Sequence, residues 1–205
     1  MTTIAIDLND VIRDFTRKFI LTYQKEVDGK LDVGMEDVKD FDFSKMFPFK
    51  NKREYERFRY EDYAYELHCM ADLCEQKLPM RLNRWIETTI DDLDEDVNII
   101  IFSPLEVGMT IQATLAFLSR NMSRFREYYF PVDSQTIYDR ADIVITANPN
   151  LIQNVPEGKR VVKISTSYNE GVETELTYAS LMDVIEDEEE KIVKIIENNA
   201  KKENQ

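Results

Sequence analysis

Ile4-Ala5-Ile6-Asp7-Leu8-Asn9-Asp10-Val11-Ile12 is the stretch on which the fold reading turns. A short apolar run ends in a carboxylate and a polar turn follows. Apolar residues then recur at Ile12, Phe15, Phe19 and Tyr23, the spacing of one helix face. This reads as strand, tight turn, helix. Outward from it the alternation continues. Asn98–Phe102 is the clearest further strand, followed by Tyr128–Phe130, Ala141–Ile145 and Arg160–Ile164. Such β-branched runs suit strands covered on both faces, as in a parallel sheet. Between them lie two helical stripes: Leu82, Trp85, Ile86, Thr89, Ile90 and Leu93, then Ile111, Leu115, Leu118 and Met122. The expected fold is α/β: a Rossmann-like, doubly wound parallel sheet with helices on both faces.

Two segments stand outside this alternation. Residues 28–77 show no strand pattern but hold nine aromatics between Phe41 and Tyr65. The expectation is a helical insertion between two parts of one core, 1–27 and 78–175. Two readings of its aromatics stay open: a core of its own, or a contact surface in which Tyr55, Phe58, Tyr60, Tyr63 and Tyr65 take part. Residues 176–205 read as a C-terminal helix, with Leu181, Val184, Ile185, Ile192, Ile195 and Ile196 as its apolar stripe. Glu190–Lys194 and Glu197–Lys201 pairs support it, and an acidic turn at Glu186–Glu190 should stay in water.

The 205 residues are 43% hydrophobic, enough for a sizeable core without disulfides or metals. Forty acidic against 26 basic residues give a net charge of −14, which argues against general nucleic-acid binding. The one basic cluster, Lys50 to Arg53 with Arg57 and Arg59, is interleaved with acids and reads as a solvated helix face. Cys69 and Cys74, five apart in an expected helix, favour neither a disulfide nor a metal pair; both read as core thiols in a reducing compartment. His68 has no matching ligand set for zinc. No apolar run has the roughly 20 residues of a membrane span, and no basic-then-apolar leader is present. The expected location is the cytoplasm or a particle assembled inside the cell.

The opening stretch resembles the first motif of haloacid-dehalogenase-like (HAD) phosphatases, an apolar strand followed by Asp-x-Asp-Gly-Val. It is most similar to the 5′(3′)-deoxyribonucleotidase-like branch, whose helical cap the 28–77 insertion also resembles. The matching positions are Asp7, Asn9, Asp10 and Val11. Ile99–Ser103 is similar to the second motif, a strand ending in Ser or Thr. Ala141–Pro149 resembles the fourth, where the strand normally ends in two acids. Val161–Ile164 with Ser167-Tyr168-Asn169 resembles the last strand and its Tyr-Asn turn.

The resemblance implies a chemistry and shows what is missing from it. In the family the first Asp attacks phosphorus and the second acts as acid and base. A Ser or Thr and a Lys hold the phosphoryl group, and acids of the fourth motif help bind Mg²⁺. Here Asp7 and Ser103 remain. The acid/base position is Asn9, whose amide does not titrate, and the metal-binding acids are replaced by Thr146 and Ala147. Asp133–Tyr138 holds no lysine; Gln135 stands nearest its place, and Arg140 is the other candidate for it, though close to the strand. A shifted mechanism would need Asp10 to replace Asn9. Asp7 or Asp10 can equally be a helix cap.

The expectation is a remnant pocket of Asp7, Asn9, Asp10, Ser103, Gln135, Thr146 and Ala147 with no catalysis and no cofactor, Mg²⁺ at Asp7 being weak if it binds. The chain would then serve as a scaffold or assembly subunit through contacts with other proteins. A phage virion or another large complex is the imagined setting, which no residue specifies. The alternatives are a Mg²⁺-dependent nucleotidase with altered residues, or a protein that binds a nucleotide or phosphate without hydrolysing it.

Overall fold

The computed structural model describes residues 1–90, 93, 96–122, 125, 127–187 and 190–203, with backbone only for 198–203. Six parallel strands form one sheet: β1 (Thr2–Asp7), β2 (Val97–Phe102), β3 (Tyr128–Tyr129), β4 (Ile143–Thr146), β5 (Arg160–Ile164) and β6 (Leu176–Tyr178). Their order is β3-β2-β1-β4-β5-β6. The chain builds outward one way from β1, then returns to its other side with β4. The strand order therefore reverses between β1 and β4, where the crevice of a doubly wound sheet opens beyond the strand ends. Asp7 pairs with Phe102 across β1–β2, and Ile6 with Ile145 across β1–β4. The register alone thus sets Asp7, Ser103 and Thr146 side by side.

Alternation along β1 divides the core. Ile4 and Ile6 enter the larger cluster, with α1 (Phe15–Glu26), the insertion and the terminal helices. Ala5 faces a smaller cluster with Phe102, Ile137, Tyr138, Val144 and Leu151. The short helices of the insertion are α2 (Phe43–Met46), α3 (Lys52–Arg57) and α4 (Ala64–Cys69). They are followed by α5 (Leu78–Trp85), α6 (Met109–Asn121), α7 (Pro149–Gln153), α8 (Leu181–Ile185) and α9 (Lys191–Glu203). Among the described residues no helix is long and apolar enough to cross a membrane.

The structure corrects several expectations. Leu176 begins an edge strand, not a helix, and the terminal segment divides into α8 and α9 around a turn in which Glu190 has φ 50°. Glu186 and Glu190 are exposed, as an acidic turn should be; residues 188–189 and the Lys201 side chain lie outside the described residues. Glu190 supports α9 through its carbonyl, which accepts the Lys194 N–H at 3.0 Å, and the two side chains form no ion pair. On α6 the buried face is Thr110, Ala113, Thr114, Phe117 and Leu118, while Leu115 is exposed. The two threonines escaped the apolar pattern because hydrogen bonds, not hydrophobicity, hold them inside. Cys69 is buried but Cys74 is exposed, beyond the end of α4.

The insertion has no core separate from the rest. Phe19 and Tyr23 of α1 run into it: Phe19 lies 4.9 Å from Phe43, 5.0 Å from Phe47 and 5.2 Å from Phe58, ring centre to ring centre. Tyr23 meets Phe47 and Phe49 at 5.0 Å each. Of the five proposed contact residues, Tyr55 and Phe58 are buried, Tyr60 and Tyr63 half-buried, and only Tyr65, at 58%, is largely exposed. Tyr55 and Phe58 therefore serve packing, while Tyr60, Tyr63 and Tyr65 keep surface open to solvent. The helix shows apolar residues on several faces because α1, α3 and α4 surround one aromatic cluster. Phe58→Ala should therefore cost about 3–5 kcal/mol of stability, and Tyr65→Ala less than about 0.5 kcal/mol. Urea denaturation of the two variants checks this, and similar costs would refute the packing assignment.

Candidate functional site

Asp7 ends β1 and is 3% exposed. Its Oδ2 accepts the Thr146 hydroxyl at 2.6 Å, and that hydroxyl in turn accepts the Asn148 N–H at 3.0 Å. Asp7 Oδ1 is buried with no well-formed hydrogen bond. Burial pushes the Asp7 carboxyl up to about 7, the bond from Thr146 reversing only part of the shift. Asn9, Ser103, Thr146 and Asp7 do converge: Asn9 Nδ2 lies 3.4 Å from Ser103 Oγ.

Asp10 belongs to a different arrangement. Its φ of 58° is left-handed, at the position where the resembling motif has Gly. Asp is among the residues that tolerate this region. The turn aims its carboxylate away from Asp7. Asp10 accepts the Thr16 N–H at 2.8 Å, the Thr16 hydroxyl at 2.6 Å and the Tyr168 hydroxyl at 2.9 Å. It stabilises the entry to α1 and the Tyr168 loop, so it cannot stand in for Asn9. Asn169 donates to the carbonyls of Ala147 and Ile164 at 2.8 and 2.9 Å, which fastens that loop to β4 and β5.

A residue that the sequence patterns passed over dominates the other side of the site. Arg13 is wholly buried. Its Nε and Nη2 both donate to Asn9 Oδ1, at 2.9 and 2.6 Å. Its Nη1 donates to the His68 carbonyl at 2.7 Å and to Thr114 Oγ1 at 2.8 Å, and its Nη2 pairs with Glu106 Oε1 at 2.9 Å. Ser103 Oγ donates to Glu106 at 2.8 Å, and His68 Nδ1 lies 3.0 Å from the same carboxylate. Burial lowers the His68 imidazole to about 4, so it is neutral. Burial alone would raise the Glu106 carboxyl, but His68 and Arg13 reverse this and hold it ionised. Asn9 and Ser103, which face the reacting group in the resembling enzymes, are here committed to a structural ion pair.

The remaining expectations divide. Gln135 donates to the Asn150 carbonyl at 3.0 Å, and its neighbour Ser134 lines the site instead. Arg140 lies over the Tyr129 ring at 4.4 Å and does not replace the lysine. Ala147 is buried and contributes its carbonyl. Arg59, read as part of a solvated face, instead lines the cleft with Asp7, Asn9, Phe41, Asn148 and Asn150, while Lys50, Lys52 and Arg57 pair with nearby acids at the surface. The cleft has a volume of about 80 Å³. For magnesium the fit is poor. The ion requires near-octahedral oxygen donors, Asp7 is the lone carboxylate of the cleft lining, and the Thr146 hydroxyl is already donated to it. Among the described residues no group of three or more His, Cys, Asp or Glu is placed to hold a metal ion.

Two outcomes are expected. Arg13→Met should cost about 3–5 kcal/mol by leaving Glu106 buried without its cation, while Arg13→Met with Glu106→Leu should recover much of it; urea denaturation measures both, and a single-variant cost below about 1 kcal/mol would contradict the network. Asp7→Asn concerns pH. The folded carboxyl keeps its proton up to about pH 7, whereas an unfolded one releases it near 4. Between these values the native state binds more protons, so stability falls as pH rises. Asp7→Asn removes that loss and should stabilise the protein at pH 8 by on the order of 3 kcal/mol, fading toward pH 4. Thermal denaturation across this range would show a pH-independent difference if Asp7 were an ordinary carboxylate.

No protein-family model and no curated protein matches the chain by sequence. Solved structures do match by shape. A haloacid dehalogenase-like family hydrolase from Xanthomonas campestris superposes with a TM-score of 0.54 at 11% identity, over 98% of both chains. YfnB of Bacillus subtilis, named as a HAD-hydrolase and described with bound magnesium, superposes with a TM-score of 0.50 at 12% identity, over 89% of this chain and 96% of that one. With the parallel sheet, the strand order and Asp7 at the reversal point, this likeness gives the chain the fold of the haloacid-dehalogenase-like hydrolases.

Proposed function

We propose that this chain is a non-catalytic protein on the HAD fold, serving as a structural subunit in contact with other proteins. The observation that carries this reading is the double donation of Arg13 to Asn9 Oδ1. The acid/base position holds an amide, and that amide is clamped as an acceptor by a buried cation. Loss of a general acid/base costs about 10²–10⁴-fold in rate. The donor set is also poor for Mg²⁺, and no lysine stands at the phosphoryl position, which removes the electrostatic stabilisation that is usually the largest contribution. The small cleft further disfavours a nucleotidase, since pockets for ligands of that size run to about 300–1,000 Å³.

Support for protein contacts comes from Tyr65 and Met70 of the insertion, both exposed, and from a second group outside it. Leu105, Val107 and Met109, around the loop between β2 and α6, are exposed, and Val132 is 81% exposed. The Leu105 N–H bonds the Pro131 carbonyl at 3.0 Å, which brings Val132 beside this loop. Neighbouring exposed apolar side chains are a feature of contact surfaces.

With Mg²⁺ present, the purified protein should release no phosphate from deoxynucleoside monophosphates or an aryl phosphate. Asn9→Asp alone should not create activity, because Arg13 would pair with the new carboxylate. Turnover in the unaltered protein that disappears in Asp7→Asn would overturn this reading.

A further inference from the structure

Some exposed apolar side chains of this molecule stand among charges: Leu21 lies between Arg17 and Lys25 on α1, and Met80 between Lys77 and Arg84 on α5. One face differs. The thirteen residues from Val107 to Ser119 include no Asp, Glu, Lys or Arg, in a chain of which 32% are charged. Most of this stretch is α6. Its inner face, with Thr114, Phe117 and Leu118, is buried, while its outer face presents Met109, Gln112, Leu115, Ala116 and Ser119 to solvent. Leu105 and Val107 extend the outer face at the start of the helix, and Val132 lies beside them. The one charge of this loop, Glu106, is turned inward to Arg13 and Ser103, so the surface stays neutral. Leu105 has φ 62°, a left-handed backbone that is unfavourable for leucine, and its side chain remains exposed. Strain of this kind collects where a surface has a task.

The charge of the chain bears on what covers such a face. With a net charge of −14, an unlike partner gains encounter rate and specificity by meeting carboxylates with cations. A neutral face gives up that attraction. Two copies of this chain have the opposite need. Like charges set against each other across a contact are costly, so copies can meet only where no carboxylate looks outward. We propose that two copies of this chain associate through the outer face of α6, in a two-fold contact in which the face is its own complement. Ala116 and Ser119 are small and let two helices approach closely. Met109 and Leu115 supply the apolar contact, and the Gln112 amide both donates and accepts across the axis. The inference rests on the reading above that the chain works through protein contacts, and names the partner for one surface; it does not depend on whether the Asp7 cleft reacts.

Sedimentation equilibrium of the full chain, over a range of concentrations and at low and high NaCl, tests it. A reversible monomer–dimer equilibrium is expected. Salt screens the repulsion between two acidic copies, so the dimer should be about threefold tighter or more at high salt. Ala116→Glu sets two carboxylates against each other across the axis and should leave only monomer. Leu115→Ala should weaken the dimer about tenfold or more, whereas Met80→Gln, on the exposed surface of α5, should leave it unchanged. Circular dichroism of each variant shows that it is folded, and Leu115→Ala keeps the test open should Ala116→Glu not fold. A monomer at every concentration up to about 100 μM, a dimer that Ala116→Glu leaves intact, association that weakens as salt rises, or equal loss in Met80→Gln and Leu115→Ala overturns the assignment. Each of these outcomes leaves the non-catalytic reading in place. Release of phosphate from a phosphate ester would overturn that reading and leave the dimer standing.

Discussion

A guanidinium with no access to water sits where the strand–turn–helix unit meets the insertion. Burying a charge of this kind is unfavourable unless it is paired and its donors are met. Arg13 satisfies both conditions by drawing acceptors from four parts of the chain: Asn9 in the turn, the His68 carbonyl on α4, Glu106 after β2 and Thr114 on α6. None of these segments can move independently without exposing or orphaning the cation. Backbone pairing of Asp14 with Asp72 and of Cys74 with Ile12 reinforces the same junction. The insertion is therefore joined to the sheet by a buried network as well as by aromatic packing.

This junction reorganises the strand ends. Asn9 faces Arg13, and Ser103 gives its proton to Glu106. Asp10, in a left-handed turn, faces Thr16 and Tyr168. Asp7 is left beside Thr146 and the small cleft. Four positions that the motif resemblance groups in one pocket thus serve three separate arrangements. Two are filled by hydrogen bonds within the protein; the third opens on the cleft that Asp7 and Arg59 line. The fold keeps its crevice at the point of strand reversal, but its chemistry has been divided.

The insertion shows how a composition signal can mislead. Nine aromatics in a short segment left two readings open, a core of its own or a contact surface, and most of them close a layer over α1. Phe19 and Tyr23, which lie before the segment, complete that cluster. Several short helices meet at these rings, and each contributes an aromatic to the same cluster. Within the insertion Tyr65 and Met70 stay exposed, and a further exposed apolar group lies in the loop between β2 and α6 and at Val132, where the sequence has no concentrated pattern.

The residues themselves determined the strand–turn–helix opening, four strands recognised by their β-branched runs with a fifth at the aromatic Tyr128–Phe130, and the ordered strand-end positions Asp7, Ser103 and Thr146. These are local properties: side chains alternate with period two, and a parallel strand covered on both faces is apolar throughout. Strand β6 was missed because three residues, Leu176–Tyr178, carry too little periodicity to separate a strand from the start of a helix. Only the tertiary structure decided the identity of the site's electrostatic partners. Arg13 finds Glu106 across 93 positions and the His68 carbonyl across 55, and Arg59 leaves an apparently solvated basic run to line the Asp7 cleft. A charge is read as exposed when its neighbours in sequence are polar. Whether it is buried depends on which distant groups can satisfy it, and folding alone brings those groups within hydrogen-bonding distance.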